Sequence, residues 1–135
     1  IINLTLLIFL NIKTVYIACI AIVFIITYPL TKRFFIAPQV FLGLTFGIST
    51  LMAYTASTNQ IPNLISWIFF FSTVIWVTMF DTIYAMSDKK DDIKIGVNST
   101  AILFGAYDKI IIGILQAIFY TTFASWLIIN HLSEK

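Results

Sequence analysis

Charge is scarce in this sequence. Eight basic and six acidic residues make up 10% of its 135 positions, against 60% hydrophobic residues. A soluble globular domain carries about 25% charged residues, so that class is excluded, and the mean hydropathy of +0.99 agrees. The net charge of +2 is too small and too scattered for nucleic acid, which calls for a basic face or stripe. Cysteine is reduced to Cys19. No internal disulfide can form and the redox compartment is not readable from it; lying inside an apolar run, Cys19 reads as a small packing residue. The lone His131 carries no assignable role. The apolar start lacks the positive region and cleavage site of a signal peptide.

Five apolar segments fill the chain instead: Ile1–Leu10, Thr14 to Tyr28 with a stop at Pro29, Pro38 to Ala56, Asn63 to Met86, and Ala106 to Asn130. Segments near 20 residues suit helical spans, since a helix rises about 1.5 Å per residue and the hydrocarbon core is roughly 30 Å thick. A membrane β-barrel needs strands of about ten residues with alternating polarity, whereas these runs are apolar all round. The expected fold class is all-α, a polytopic transmembrane helix bundle in a lipid bilayer. Ile1–Leu10 is too short to span and reads as the tail of a helix whose beginning is absent. The chain is therefore expected to be an internal piece of a larger protein or one product of a split gene. Gly43-Leu-Thr-Phe-Gly47 is a GxxxG that lets a neighbouring helix approach closely.

Alternating spans place Lys32, Arg33, Lys89, Lys90, Lys94 and Lys109 on one side, leaving Lys13 and Lys135 on the other. The positive-inside bias makes the first side cytoplasmic. Asp81, Asp88, Asp91, Asp92 and Asp108 fall on that side too, five of the six acids in one zone. Membrane proteins rarely keep several carboxylates at one depth unless they bind a cation or move a proton.

In a helix, Asp81, Tyr84 or Ala85, Asp88 and Asp92 would share one stripe. Like charges one turn apart destabilise a helix, and a divalent cation between them removes the repulsion. Mg²⁺ suits this, because it takes oxygen ligands and is held by one or two carboxylates plus substrate phosphates. The plainer reading makes DKKDDIK, residues 88–94, a solvated loop with balanced charge. Asp91 would point away from the stripe, toward solvent. Tyr28 and Lys32 share a face if their helix continues, although Pro29 disfavours helix at Tyr28 and removes a donor. Lys32 and Arg33 are either interface anchors or anion ligands; Arg suits bidentate carboxylate or phosphate binding. Cation-bridging acids and free basic groups in one zone suit a diphosphate. Asn98 or Ser99 caps a short helix that Gly105 ends, a connector or a lid over the site.

Two segments carry a family resemblance: YPLTKRFFIAPQVFLGLTFG, residues 28–47, and DTIYAMSDKKDDIKIGVNSTAILFGAYDK, residues 81–109. The chain resembles the UbiA superfamily of intramembrane aromatic prenyltransferases, nearest the branch of bacterial ubiquinone synthesis that acts on 4-hydroxybenzoate. The second segment is similar to the family's second aspartate motif, DxxYAxxDxxxD, and the first to its YxxxK motif. The resemblance implies a partial UbiA-like domain over residues 1–135, with about five of nine helices around a cavity open to the cytoplasmic face of a bacterial inner membrane. It implies Mg²⁺ held by Asp88 and Asp92, polyprenyl diphosphate bound through that metal, and electrophilic substitution on 4-hydroxybenzoate. Tyr28 and Lys32 would donate to the leaving diphosphate, with Tyr84 beside the substrate. Arg33 would hold the hydroxybenzoate carboxylate or the diphosphate. Asp81 would orient Lys32 or help a second metal. The family's first motif, of the NDxxDxxxD kind, is not in these residues; a separate chain carrying it is one expected partner. Two other readings stand beside this one: an inactive fragment or split-gene half, and an ion- or proton-coupled transporter, which would want its acids near the midplane.

Overall fold

The structure is a computed structural model that describes the backbone of residues 9–133 and the side chains of residues 9–128. Residues 1–8 of the first apolar segment, and the side chain of His131, lie outside what is described. Helix α1 spans Ile12–Phe34, α2 Pro38–Thr58, α3 Leu64–Ile95, the short α4 Thr100–Phe104 and α5 Asp108–Ser133, with a 3₁₀ turn at Gly105–Tyr107 between the last two. No strand occurs among the described residues. Four of these helical stretches are long and apolar enough to cross a membrane, as an all-α polytopic bundle requires.

The helix ends follow from local chemistry. Asn11 and Asn63 accept from the backbone N–H three residues on, capping α1 and α3. Pro38 opens α2, where its missing N–H costs no hydrogen bond. Asn59 and Gly96 end α2 and α3 in left-handed conformation, φ 54° and 70°.

Two expected stops do not occur. Pro29 does not end α1, which runs on to Phe34. In hydrocarbon an unpaired backbone costs more than the one ladder bond, to the Ile25 carbonyl, that the proline removes. Thr27 Oγ1 donates to the Val23 and Phe24 carbonyls and Thr31 Oγ1 to that of Tyr28, at 2.8, 3.2 and 2.6 Å. Likewise α3 does not stop at Met86 but reaches Ile95, so residues 88–94 are helix and not a loop. Thirty-two residues make about 48 Å of helix, well over the roughly 30 Å of hydrocarbon. The last turns of α3 therefore stand outside the oil. The fifth segment begins as helix at Asp108 rather than Ala106. Cys19 is exposed on α1 and not a packing residue.

Helix α2 lies between α1 and α3, and α5 packs on α3. Ile48 and Leu51 of α2 form the apolar centre with Phe70 and Val74 of α3, flanked by Ile17 and Phe24 of α1. The two glycines of the GxxxG bring α2 onto α3. A Cβ on Gly43 would stand 2.7 Å from the Val74 carbonyl oxygen, and one on Gly47 3.0 Å from the Phe70 ring. Backbone cannot yield as a side chain does, so Gly43 fixes the approach.

Gly43→Ala should therefore lower stability by about 1–3 kcal/mol, read as a melting temperature several degrees lower in detergent. Gly113→Ala on α5 meets nothing within 4 Å and should leave it unchanged or slightly raised. Equal melting temperatures for the two variants would contradict the close α2–α3 approach.

Candidate functional site

Because α1 continues through Pro29, Tyr28 and Lys32 stand one turn apart on a single face. Because α3 continues to Ile95, Asp88 falls two turns past Asp81, and Asp92 one turn further. At about 100° per residue, Asp88 and Asp92 lie roughly 20° to either side of Asp81. The stripe expected from the sequence is thus present. Asp81 is half-buried and within electrostatic reach of both Tyr28 and Lys32. This joins the two clusters, which are some fifty residues apart in sequence.

The structure sorts the acids. Asp91 pairs with Lys94 at 2.8 Å on the exposed surface, its side chain 79% exposed, so it points to solvent as expected. Asp108 pairs with Lys89 at 3.3 Å. It is thereby taken out of the acidic zone and serves the connector. Asp88 and Asp92 make no side-chain hydrogen bond or ion pair among the described residues. Two of the three lysines that could neutralise them, Lys89 and Lys94, are turned to other acceptors. Among the described residues no three His, Cys, Asp or Glu side chains gather to hold a metal unaided. A pair of hard oxygen donors without other partners fits Mg²⁺ shared with substrate phosphates.

Arg33 is exposed beside Lys32. Tyr84 is exposed, its ring edge-on to Phe80 at 5.0 Å, and Phe80 stacks on Trp76 at 5.3 Å. An aromatic ladder therefore winds along α3 and comes nearest the aspartate stripe at Tyr84.

Sequence reasoning missed the polar joint beneath these groups. Gln39, at the start of α2, is 2% exposed and its Oε1 accepts the Thr100 N–H at 2.8 Å. The Thr82 and Thr100 hydroxyls meet at 2.6 Å, both fully buried. The Asn98 N–H donates to the Lys32 carbonyl at 2.9 Å. One signal was available: an amide in a membrane helix must find a partner. Ser99, not Asn98, caps α4. Lys89 Nζ donates to the Gly105 carbonyl at 2.7 Å, so the connector is tied at both ends.

The UbiA prenyltransferase family matches the chain over residues 1–133. The chain belongs to that family. It is similar to a 4-hydroxybenzoate octaprenyltransferase of Vesicomyosocius okutanii subsp. Calyptogena okutanii, 50% identical over 109 residues, which are 81% of this chain and 40% of that protein. The same name is borne by a relative from Coxiella burnetii strain CbuK_Q154, 45% identical over 119 residues, 88% of this chain and 41% of that protein. A third, from Photobacterium profundum, is 40% identical over 121 residues, 90% of this chain and 41% of that protein. The chain thus spans about two fifths of the length of the curated relatives it matches. No solved structure matches it.

Lys89→Met should free Gly105 and Asp108 without touching the aspartate stripe. Loss of a half-buried charged hydrogen bond worth about 1–2 kcal/mol predicts roughly tenfold faster amide hydrogen exchange at residues 103–109. Exchange no faster than in the parent protein would mean the clamp contributes nothing.

Proposed function

We propose that this chain forms part of the active site of a magnesium-dependent aromatic prenyltransferase. The reaction is transfer of a polyprenyl group from polyprenyl diphosphate to 4-hydroxybenzoate, a step of ubiquinone synthesis, at the cytoplasmic face of a bacterial inner membrane. The observation that carries this reading is the unpartnered carboxylate pair Asp88 and Asp92, in line with an Asp81 that reaches Tyr28 and Lys32. The family match and the names of the relatives support the chemistry.

Asp88 and Asp92 would hold magnesium, which supplies Lewis-acid chemistry by drawing negative charge from the diphosphate. Every other part of the proposal concerns the chain's own groups. Lys32 and Tyr28 donate hydrogen bonds to diphosphate oxygens. Those oxygens gain charge as the allylic C–O bond breaks and its electron pair passes to the leaving group, so the donors act most strongly in the transition state. Asp81 orients Lys32 and Tyr28 between turns of the reaction. The allylic carbon then accepts an electron pair from the ring carbon ortho to the phenol oxygen, and that ring carbon afterwards loses its proton. Arg33 binds an anion, the hydroxybenzoate carboxylate or the diphosphate. Tyr84 and Phe80 line the side of α3 next to the stripe, where an aromatic face suits a developing carbocation.

The full domain would need the remaining metal ligands of the NDxxDxxxD kind, so the proposal for these residues is a share of the site. Membranes holding the complete protein, with those further ligands, should join a polyprenyl chain to 4-hydroxybenzoate with Mg²⁺ and lose that activity with EDTA. Asp88→Asn and Asp92→Asn should each lower the rate by at least about a hundredfold, whereas Asp91→Asn should stay near the parent rate. Normal turnover by either of the first two would refute the metal role.

A further inference from the structure

Helix α1 packs on α2 rather than on α3. The separation of Lys32 from Asp81 therefore depends on what α2 and the 96–99 loop impose. One continuous path of contacts does this. From Lys32 it runs through the Asn98 N–H, 2.9 Å from the Lys32 carbonyl. Two residues on, Thr100 N–H reaches Gln39 Oε1 at 2.8 Å. Thr100 Oγ1 also lies 2.6 Å from Thr82 Oγ1, and Thr82 directly follows Asp81. The Gln39 carbonyl faces Thr78 Oγ1 on α3 at 3.5 Å. Gln39 is thus the point at which α2 holds both the loop and α3, buried where a backbone N–H without an acceptor is penalised.

We propose that Gln39 is a positioning residue: by accepting the Thr100 N–H it locks the 98–100 segment between α1 and α3, and so fixes Tyr28 and Lys32 relative to Asp81. The kinetic consequence rests on the prenyl-transfer reading, whereas the structural consequence does not.

Gln39→Leu removes the acceptor. Thr100→Pro removes the donor at the first position of α4, where proline is tolerated; the preceding Ser99, at φ −152° and ψ 155°, is already extended as proline requires. In membranes holding the protein, each variant should lower kcat roughly ten- to a hundredfold. The KM for 4-hydroxybenzoate should stay within about twofold. The double variant should be no worse than Thr100→Pro alone, because that change already breaks the bond to Gln39 together with the hydroxyl contact to Thr82. Gln39→Glu, which keeps an acceptor oxygen, should recover part of the rate. Spin labels at Phe34→Cys and Lys90→Cys, both exposed, in a Cys19→Ser background report the α1–α3 distance directly. The distribution should be narrow in the labelled parent and broad with Gln39→Leu. Losses that multiply in the double variant, or an unbroadened distance with Gln39→Leu, overturn the proposal. Should Gln39→Leu fail to fold, Thr100→Pro decides by the same two readouts. If the parent protein transfers no prenyl group, the functional reading fails, and the distance measurement alone still decides whether Gln39 positions the helices.

Discussion

A hydroxyl or amide inside a bilayer has no water to turn to, so its partner must come from the protein. The bundle is organised by how it meets that demand at the two ends of α2. At one end the Thr14 and Thr55 hydroxyls meet at 2.9 Å, and Asn11 Nδ2 donates to the Thr55 carbonyl at 2.6 Å. At the other, Gln39, Thr82 and Thr100 form the joint beneath the charged groups. The most buried large side chains are threonines rather than leucines. A threonine can be buried at little cost because its hydroxyl also donates to its own helix, as Thr55 does to Leu51 and Thr82 to Thr78. Lipid tails are as apolar as leucine and give no preference among helix neighbours. Close glycine contact and these hydroxyl pairs decide which face meets which.

That division of labour leaves the charged groups with little structural work. Lys13 closes on the Asn59 carbonyl and Lys89 on Gly105, each tying a helix end. Asp91 and Lys94 neutralise one another on the surface, a pair worth little to stability. Asp88 and Asp92 remain without protein partners, one turn apart, on a helix they destabilise by repulsion. That repulsion, left in place while Lys89 and Lys94 bind elsewhere, accords with the cation site proposed above.

Spans and the aspartate stripe were legible in the sequence because each rests on periodicity or on composition over many residues. The helix ends were less so. At Pro29 a local rule, that proline stops a helix, met a global one, that backbone in oil must stay paired, and the global one won. At residues 88–94 a charge-rich run resembled a loop, yet the helix begun in the oil propagates cooperatively until Gly96 supplies the left-handed stop. The link from Asp81 to Tyr28 and Lys32 needed the third dimension. So did the joint at Gln39, whose partner lies 61 residues on. No periodicity encodes such a pairing; only the lone amide in an apolar helix signalled that a partner had to exist.

The length of α3 bears on what kind of ligand the proposed site suits. Asp81 lies 17 residues from Leu64, about 26 Å along the helix, and Asp92 about 42 Å. The stripe thus begins near the edge of a roughly 30 Å hydrocarbon layer and ends beyond it. A soluble diphosphate would need only the outer end, and a wholly apolar lipid only the oil below. An amphiphile with a charged head and a long tail would use both at once, its head by Asp88 and Asp92 and its tail along the apolar part of α3. The bond joining head to tail would then lie at the depth of Asp81. There the dielectric is lower than in water, and donors fixed before the reaction stabilise emerging charge more strongly than the same groups would outside. Lys32 and Tyr28, within electrostatic reach of Asp81, would on the proposed reading stand where cleavage of such a bond releases its charge.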